Sequence, residues 1–373
     1  MTLWRAVVLG LAFAAGTADA ASFKVLLLER ADDARLERNR TERAYLGHPG
    51  GPAFDGLDVA LKEAQFELDA AAARDAAARA QKSGHAAIVA DLPADWLLTA
   101  ADAAQLPLLN VGEAADRLRE RDCRARTLHV LPSERMRADA LAQTLVARRW
   151  SQVLLLTGPT ALDAERAAAA QAAIKRYALK LVQAKPFKLS ADPRERDLAN
   201  PLLLTNPNTV GSYDVVWVID SDGEFARSLP YRTALPRPVV GDAGLVALAW
   251  HEQFERFGAP QVSRRFAKAA RRPMVAQDWA SWMAGKALVA AAVAAPKGPA
   301  SAFAKALTSS ELDGSKGVSM AFRPWDGQLR QPLLLSDGQG VIALAPADGV
   351  LHPKNNLDTL GADAPEKLCK ARP

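Results

Sequence analysis

Short apolar runs alternate along this chain with longer segments of helical spacing, and no other feature restricts its fold as much. Phe23 to Leu28, Ala86 to Ala90, Pro107 to Val111, Gln152 to Thr157, Leu179 to Phe187, Asp214 to Ile219 and Pro238 to Val240 read as strands. Phe23 to Leu28 is a short apolar run of the kind expected of a strand covered on both faces, and Asp214 to Ile219 is a further buried strand. Between the strands lie helices. Pro52 to Leu68 carries helix-spaced Phe54, Leu57, Leu61 and Ala64, and the Ala-rich Ala70 to Lys82 is closed by Gly84. Ala94 to Ala104, Glu134 to Trp150, Ala161 to Ala178 and the short Phe225 to Leu229 follow. The chain is again helical from Gln253, with long helices near Gln277 to Ala294 and Ala300 to Thr308. Leu329 to Leu335 and Gly340 to Leu344 make a final strand pair. Strands alternating with helices of this length form βαβ units, hence parallel sheets with helices on both faces. The rhythm stops at His129 to Ser133 and restarts, so two similar α/β lobes are expected.

A chain of 373 residues holds two domains or one large one. Hydrophobic content of 49% and a net charge of +5 exclude a disordered, collagenous or multi-span membrane protein. The basic residues come as scattered pairs such as Arg148-Arg149 and Arg264-Arg265 rather than one stripe, which argues against a nucleic-acid binder. Met1 to Ala20 reads as a secretory signal peptide: Arg5 in the n-region, apolar Ala6 to Gly16, then the small-x-small Ala18-Asp19-Ala20. The expected mature chain starts at Ala21 and is exported to the periplasm, without stable membrane insertion and as a monomer. An uncleaved N-terminal anchor is the alternative. In an oxidising compartment the two cysteines, Cys123 and Cys369, pair as one disulfide; two unrelated thiols are the bland alternative.

No G-x-G-x-x-G follows a strand, and there is no P-loop and no G-x-S-x-G elbow. Gly314-Ser315-Lys316-Gly317 places a Ser beside a Lys but has no third partner, and reads as a turn. The five histidines never fall in metal-ligand spacing. The pattern points to binding without catalysis, with no metal and no required cofactor.

Several stretches carry a resemblance. They are Arg43-Ala44-Tyr45, Phe54-Asp55-Gly56, Pro107 to Gly112, Asp122-Cys123-Arg124, Leu229 to Thr233, Arg237 to Gly241, Phe322 to Pro332 and Leu357 to Gly361. With two α/β lobes in an exported chain, these resemble the type I periplasmic binding proteins of ABC transporters, the leucine/isoleucine/valine-binding group. Within it they are similar to the substrate-binding proteins associated with alcohol oxidation dependent on pyrroloquinoline quinone (PQQ). The resemblance implies two Rossmann-like lobes joined by three hinge crossings, near Leu128 to Pro132, Leu245 to Glu252 and Ala321 to Arg330. Residues 21–130 plus 250–325 would form the first lobe, and 131–249 plus 326–373 the second. It also implies PQQ as the transported ligand, captured in the interlobe cleft for a membrane permease. An amino acid or a small alcohol-oxidation product is the alternative ligand. A PQQ chaperone or sensor without a transporter is the alternative role.

PQQ is planar and carries three carboxylates, so its site needs an aromatic face, guanidinium or backbone N–H donors, and helix N-termini. Arg43 and Tyr45 lie in the loop after the first strand, bordering the cleft. Asn110 ends a strand, and Glu113 follows it with backbone N–H groups to offer. Ser133 and Arg135 open the second lobe's first helix, where Ser133 also suits a cap alone. Asp220, Ser221 and Asp242 follow second-lobe strands, and their charges suit an ammonium better than a tricarboxylate. Trp279 and Trp282 share one helix face; Trp279 is the candidate ligand contact. Trp150 and Trp217 are expected in the core.

Overall fold

The computed structural model describes residues 23–30, 33, 36, 50–62, 67–71, 76–296 and 300–372. The first half builds a five-stranded parallel sheet from β1 (Lys24–Glu29), β2 (Glu67–Ala71), β3 (His85–Asp91), β4 (Leu108–Asn110) and β5 (Thr127–His129). Their spatial order is β2-β1-β3-β4-β5, with Leu26 beside Ile88 and Ile88 beside Leu108. Helices α1 (Ala53–Lys62), α2 (Ala76–Ala80) and α3 (Ala94–Ala103) connect them. The second half repeats the plan with α4 (Glu134–Ala147), β6 (Gln152–Thr157), α5 (Ala161–Arg176), β7 (Lys180–Pro186), β8 (Val215–Ile219), α6 (Glu224–Ser228) and β9 (Val239–Gly241). Its four parallel strands run β7-β6-β8-β9.

Alternate residues of the central strands feed opposite faces, which is why β1, β3, β6 and β8 are apolar along most of their length. Val25, Leu27, Ala87 and Val89 join one core, and Leu26, Leu28, Ile88 and Ala90 the other. In the second sheet, Val153, Leu155, Val215 and Trp217 face one way and Leu154, Leu156, Val216 and Val218 the other. The fold class is therefore the expected one, α/β with two parallel sheets covered on both faces.

The chain leaves the second sheet through β10 (Val246–Leu248) and returns to the first core at Ala249 and Trp250. There α7 (Ala259–Ala270), α8 (Ala276–Ala294) and α9 (Ala300–Ser309) complete the first lobe. Helix α8 lies against α1 at very short range. A Cβ on Gly56 would stand 2.3 Å from the Asp278 carbonyl oxygen, and one on Gly285 2.6 Å from the Ala60 Cβ. The two glycines therefore set how closely these helices approach. A small hairpin, β11 (Leu312–Asp313) with β12 (Ser319–Met320), carries Gly314 to Gly317 in its turn. β13 (Leu333–Ser336) and β14 (Val341–Ala345) then pair antiparallel with β10 to make a three-stranded sheet.

Three passages link the cores: Leu131 to Met136, Ala247 to Ala249, and Leu329 to Leu333. The crossings are stitched together, since His129 bridges Gln328 and Phe322 bridges Leu329. Leu360 belongs to the second core, but the last residues turn back to the first lobe, where Cys369 bonds Cys123 across a separation of 246 residues and Arg372 reaches the Thr127 carbonyl. The pairing is the expected one. In a chain-entropy argument a loop this long stabilises the fold by ~5 kcal/mol.

Expectations for three elements fail, the first being the helix expected over Pro52 to Leu68, which stops at Lys62 with Leu68 already in β2. The Ala-rich stretch from Ala70, read as helix, begins as β2: Glu67 to Ala71 pair in parallel with β1, and sheet pairing overrides the helical propensity of alanine. The helix expected from Gln253 starts at Ala259, after a loop that inserts Phe254 into the core.

Candidate functional site

The carboxyl ends of β6, β8 and β9 gather a polar cluster above the second sheet. In open α/β sheets this is where ligands bind. Thr160 caps α5: its hydroxyl accepts from the Asp163 N–H (3.0 Å) while the Asp163 carboxylate accepts from the Thr160 N–H (3.0 Å). The other Asp163 oxygen accepts from the Ser221 N–H (2.7 Å), and the Ser221 and Thr160 hydroxyls lie 3.0 Å apart. Asp220 accepts from the Ala226 N–H at 2.8 Å, folding the loop that starts α6. Asp242 accepts from the Asp220 N–H at 2.7 Å and stands 3.5 Å from an Arg166 nitrogen.

Arg166 also donates to Glu134 at 3.1 Å, and the Glu134 N–H bonds the Ala114 carbonyl of the first lobe at 3.1 Å. A polar chain thus runs from the end of β4 to the end of β9. Burial raises Glu134, yet Arg137 and Arg166 outweigh it and hold its carboxyl below the ordinary value. For Asp242 the balance is opposite: burial pushes it up to about 6 against the pull of Arg166 and the Asp220 N–H.

That shift has a testable sign. A carboxyl whose native pKa exceeds its unfolded ~3.9 binds an extra proton in the folded state, so it stabilises below that value and loses this as pH rises through about 6. Asp242→Asn removes the titration. Its stability relative to wild type, followed by urea unfolding at pH 4 to 7, is expected to rise with pH. A difference independent of pH would refute the assignment.

The expected site residues divide. Asp220, Ser221 and Asp242 do come together here. Asn110 is fully buried and turns inward: its amide donates to the Glu113 carbonyl (2.7 Å) and meets His129 Nδ1 (3.0 Å), while its oxygen accepts from the Gly112 and Glu113 N–H groups. The Glu113 carboxylate is engaged by the Ala94 and Ala115 N–H groups. Both residues shape the strand-end loop. Ser133 caps α4 through the Met136 N–H (3.2 Å), and Arg135 grips both Glu366 oxygens (2.6 and 2.8 Å). Trp279 corrects the expectation most clearly. It is fully buried, stacked on Trp250 at 6.3 Å, and its indole N–H bonds the Gly314 carbonyl at 3.1 Å. Its ring packs the core because the N–H and both faces already have partners. Arg43, Tyr45 and residues 1–20 lie outside the described residues.

Residues the sequence did not single out include Thr160, Asp163, Arg166 and Glu134, plus buried Arg119. Arg119 donates to Gln328 Oε1 (2.8 Å) and to the Glu113, Ala115 and Leu131 carbonyls, locking the β4 loop to the crossings. The only advance signal was the Thr160-x-x-Asp163 spacing of a capping box.

A groove of about 720 Å³ lies elsewhere, at the far end of α4, lined by residues including Ala147, Arg148, Phe254, Arg256, Ile342 and Leu344. Since α4 spans ~20 Å from Glu134 to Ala147, this groove is separate from the strand-end cluster. Among the described residues no His, Cys, Asp and Glu group could hold a metal, and no helix is long and apolar enough to cross a membrane.

The two-sheet arrangement with three crossings is the type I periplasmic binding protein fold. No family model and no curated protein matches the chain. Solved structures do match along nearly its full length. A branched-chain amino acid ABC transporter periplasmic ligand-binding protein from Burkholderia xenovorans superposes with a TM-score of 0.72 at 13% identity, covering 94% of this chain and 100% of its own. A periplasmic binding protein from Burkholderia mallei gives 0.66 at 12% identity over 94% and 99%. An R. palustris ABC transporter solute-binding protein in complex with benzoate gives 0.63 at 13% identity over 87% and 96%. All three neighbours are described as binding proteins.

Proposed function

We propose that this chain is the solute-binding component of an ABC uptake system. It captures a small amino-bearing solute, such as an amino acid, between its lobes and presents it to a membrane permease. The observation that carries the ligand class is the charge at the strand ends. Glu134, Asp163, Asp220 and Asp242 gather there with Arg166 and Arg137, and Asp242 holds Arg166 at only 3.5 Å beside the paired Thr160 and Ser221 hydroxyls. Carboxylates and hydroxyls of this kind receive an ammonium group. The leader Met1 to Ala20 would place the protein in the periplasm, and the reading needs no catalytic step.

PQQ is the second reading, favoured by the resemblance of Phe322 to Pro332 and Leu357 to Gly361. Its three carboxylates would need cations; residues 31–49 supply Arg35, Arg38, Arg40 and Arg43, interleaved with Asp32, Asp33, Glu37 and Glu42. Transport and a chaperone role without a permease would share this binding step.

Calorimetric titration of the mature chain with single amino acids and with PQQ separates the readings. Heat from an amino acid, lost in Asp242→Asn, is the expected result. Heat from PQQ alone would replace the first reading with the second, and silence from every ligand would overturn both. A ligand present at 100 times its Kd should also stabilise the protein by ~2.7 kcal/mol.

A further inference from the structure

The C-terminal segment is bound to both lobes in turn. On the second lobe, the Thr359 carbonyl accepts from the Tyr177 hydroxyl at 2.9 Å, the Gly361 N–H donates to Asp139 at 2.8 Å, and Leu360 is in the core. The segment then passes the third crossing. Arg323 donates to the Leu357 and Leu360 carbonyls, both at 2.8 Å, and the Trp325 indole to the Ala362 carbonyl at 3.1 Å. Glu366 next takes Arg135 at the start of α4. Three residues later Cys369 is bonded to Cys123 in the first lobe, and Arg372 donates to the Thr127 carbonyl at 2.6 Å on β5.

We propose that residues 357–372 form a fourth tether between the lobes, closed by the Cys123–Cys369 bond, which limits how far the lobes part. The three crossings are continuous chain, and a hinge between two lobes swings about such crossings. The fourth link is anchored beside them, at Arg135 in the first crossing and at Cys123 ahead of it, and as an added cross-link it shortens that swing. From Glu366 to Cys369 the backbone can extend no more than ~11 Å, so Arg135 and Cys123 cannot separate far while both ends hold. With the disulfide open, the first-lobe end keeps only the hydrogen bond of Arg372 and its neighbours, and the restraint is released.

The test reads shape and needs no ligand, so it stands or falls apart from the proposed function. Small-angle X-ray scattering would compare the oxidised mature chain with two variants. One is Cys123→Ser with Cys369→Ser. The other keeps the disulfide but inserts about eight Gly/Ser residues between Lys367 and Leu368, adding ~15 Å of slack. Both variants are expected to shift the radius of gyration above the ~20 Å of a compact chain of this length, with the far-UV circular dichroism of wild type. An unchanged radius in both variants would overturn the tether. So would expansion in only one of them: expansion without the disulfide alone means local unfolding, and expansion with slack alone means the disulfide does not close the link.

Discussion

Replacing Arg323 with alanine is expected to lower the unfolding free energy by ~3–5 kcal/mol, the cost of breaking a buried charge pair by removing one partner. The guanidinium is fully buried. It donates through Nε to Asp358 at 2.9 Å and through Nη2 to the Leu357 and Leu360 carbonyls, and lies 3.6 Å from Asp326. Alanine removes the Arg323 donor from the Leu360 carbonyl, leaves the Leu357 carbonyl only the Leu360 N–H at 3.4 Å, and takes the Arg323 cation from Asp326, while Asp358 keeps Arg330 at 2.8 Å. Arg323→Lys keeps the charge but not the planar fork that reaches the two carbonyls and Asp358 together, so its loss is expected to be smaller yet clear. Chemical denaturation measures both. A loss below ~1 kcal/mol for the alanine variant, the usual value of an exposed pair, would show that Arg323 does not hold the tail.

The importance of Phe322 to Pro332 was visible in the sequence only as a motif, without its reason. The strands were legible because both faces of each sheet are covered, so Val153 to Leu156 and Val215 to Ile219 are uninterrupted apolar runs. The two lobes followed from the alternation, and the three crossings from the family resemblance. β5 and β10 gave no such signal although the equally short β4 and β9 did, because both lie at the passages between lobes, where the alternation with helices breaks off. The site was harder still. Asp220, Ser221 and Asp242 were found because they follow strands, but Glu134, Asp163 and Arg166 lie on helices where a charged residue usually faces solvent. Trp279 misled because helical spacing gives a face without saying what covers it; Trp250 covers it, from another part of the chain.

The second large effect is expected in the pH dependence of stability. Lys316 is buried in the β11–β12 turn, with its ammonium 3.6 Å over the Trp279 ring and donating to Gln331 Oε1 (3.0 Å) and the Pro332 carbonyl (3.1 Å). Among the described residues no carboxylate pairs with it, and burial pushes its pKa well below the ordinary lysine value. A group whose folded pKa lies under its unfolded ~10.4 carries fewer protons in the native state. Its contribution to stability is therefore complete above that value and falls away as pH drops toward the folded pKa, at up to ~1.4 kcal/mol per pH unit. Relative to Lys316→Met, wild type should gain stability as pH rises toward 10. Methionine fits because a buried ion is often replaced by an apolar side chain of similar length at little cost. Parallel profiles for the two proteins would mean that Lys316 keeps the ordinary lysine titration.

The order in which the lobes are encoded has a consequence for how the molecule is made. Every strand of the second sheet falls between Gln152 and Gly241, so that lobe can begin pairing from neighbouring sequence. The first sheet is just as local, from Lys24 to His129, but helices that cover it come late in the chain. Gly56 on α1 packs on Asp278 of α8, and the core around β1 takes in Leu329 and Leu334. Contacts so distant along the chain form slowly, because closing the loop between them costs entropy before packing repays it. A nascent chain that has reached Gly241 therefore holds a nearly complete second sheet beside an uncovered α1. That exposed apolar helix is where a chaperone would be expected to bind, and where a chain truncated before Ala276 would be expected to aggregate.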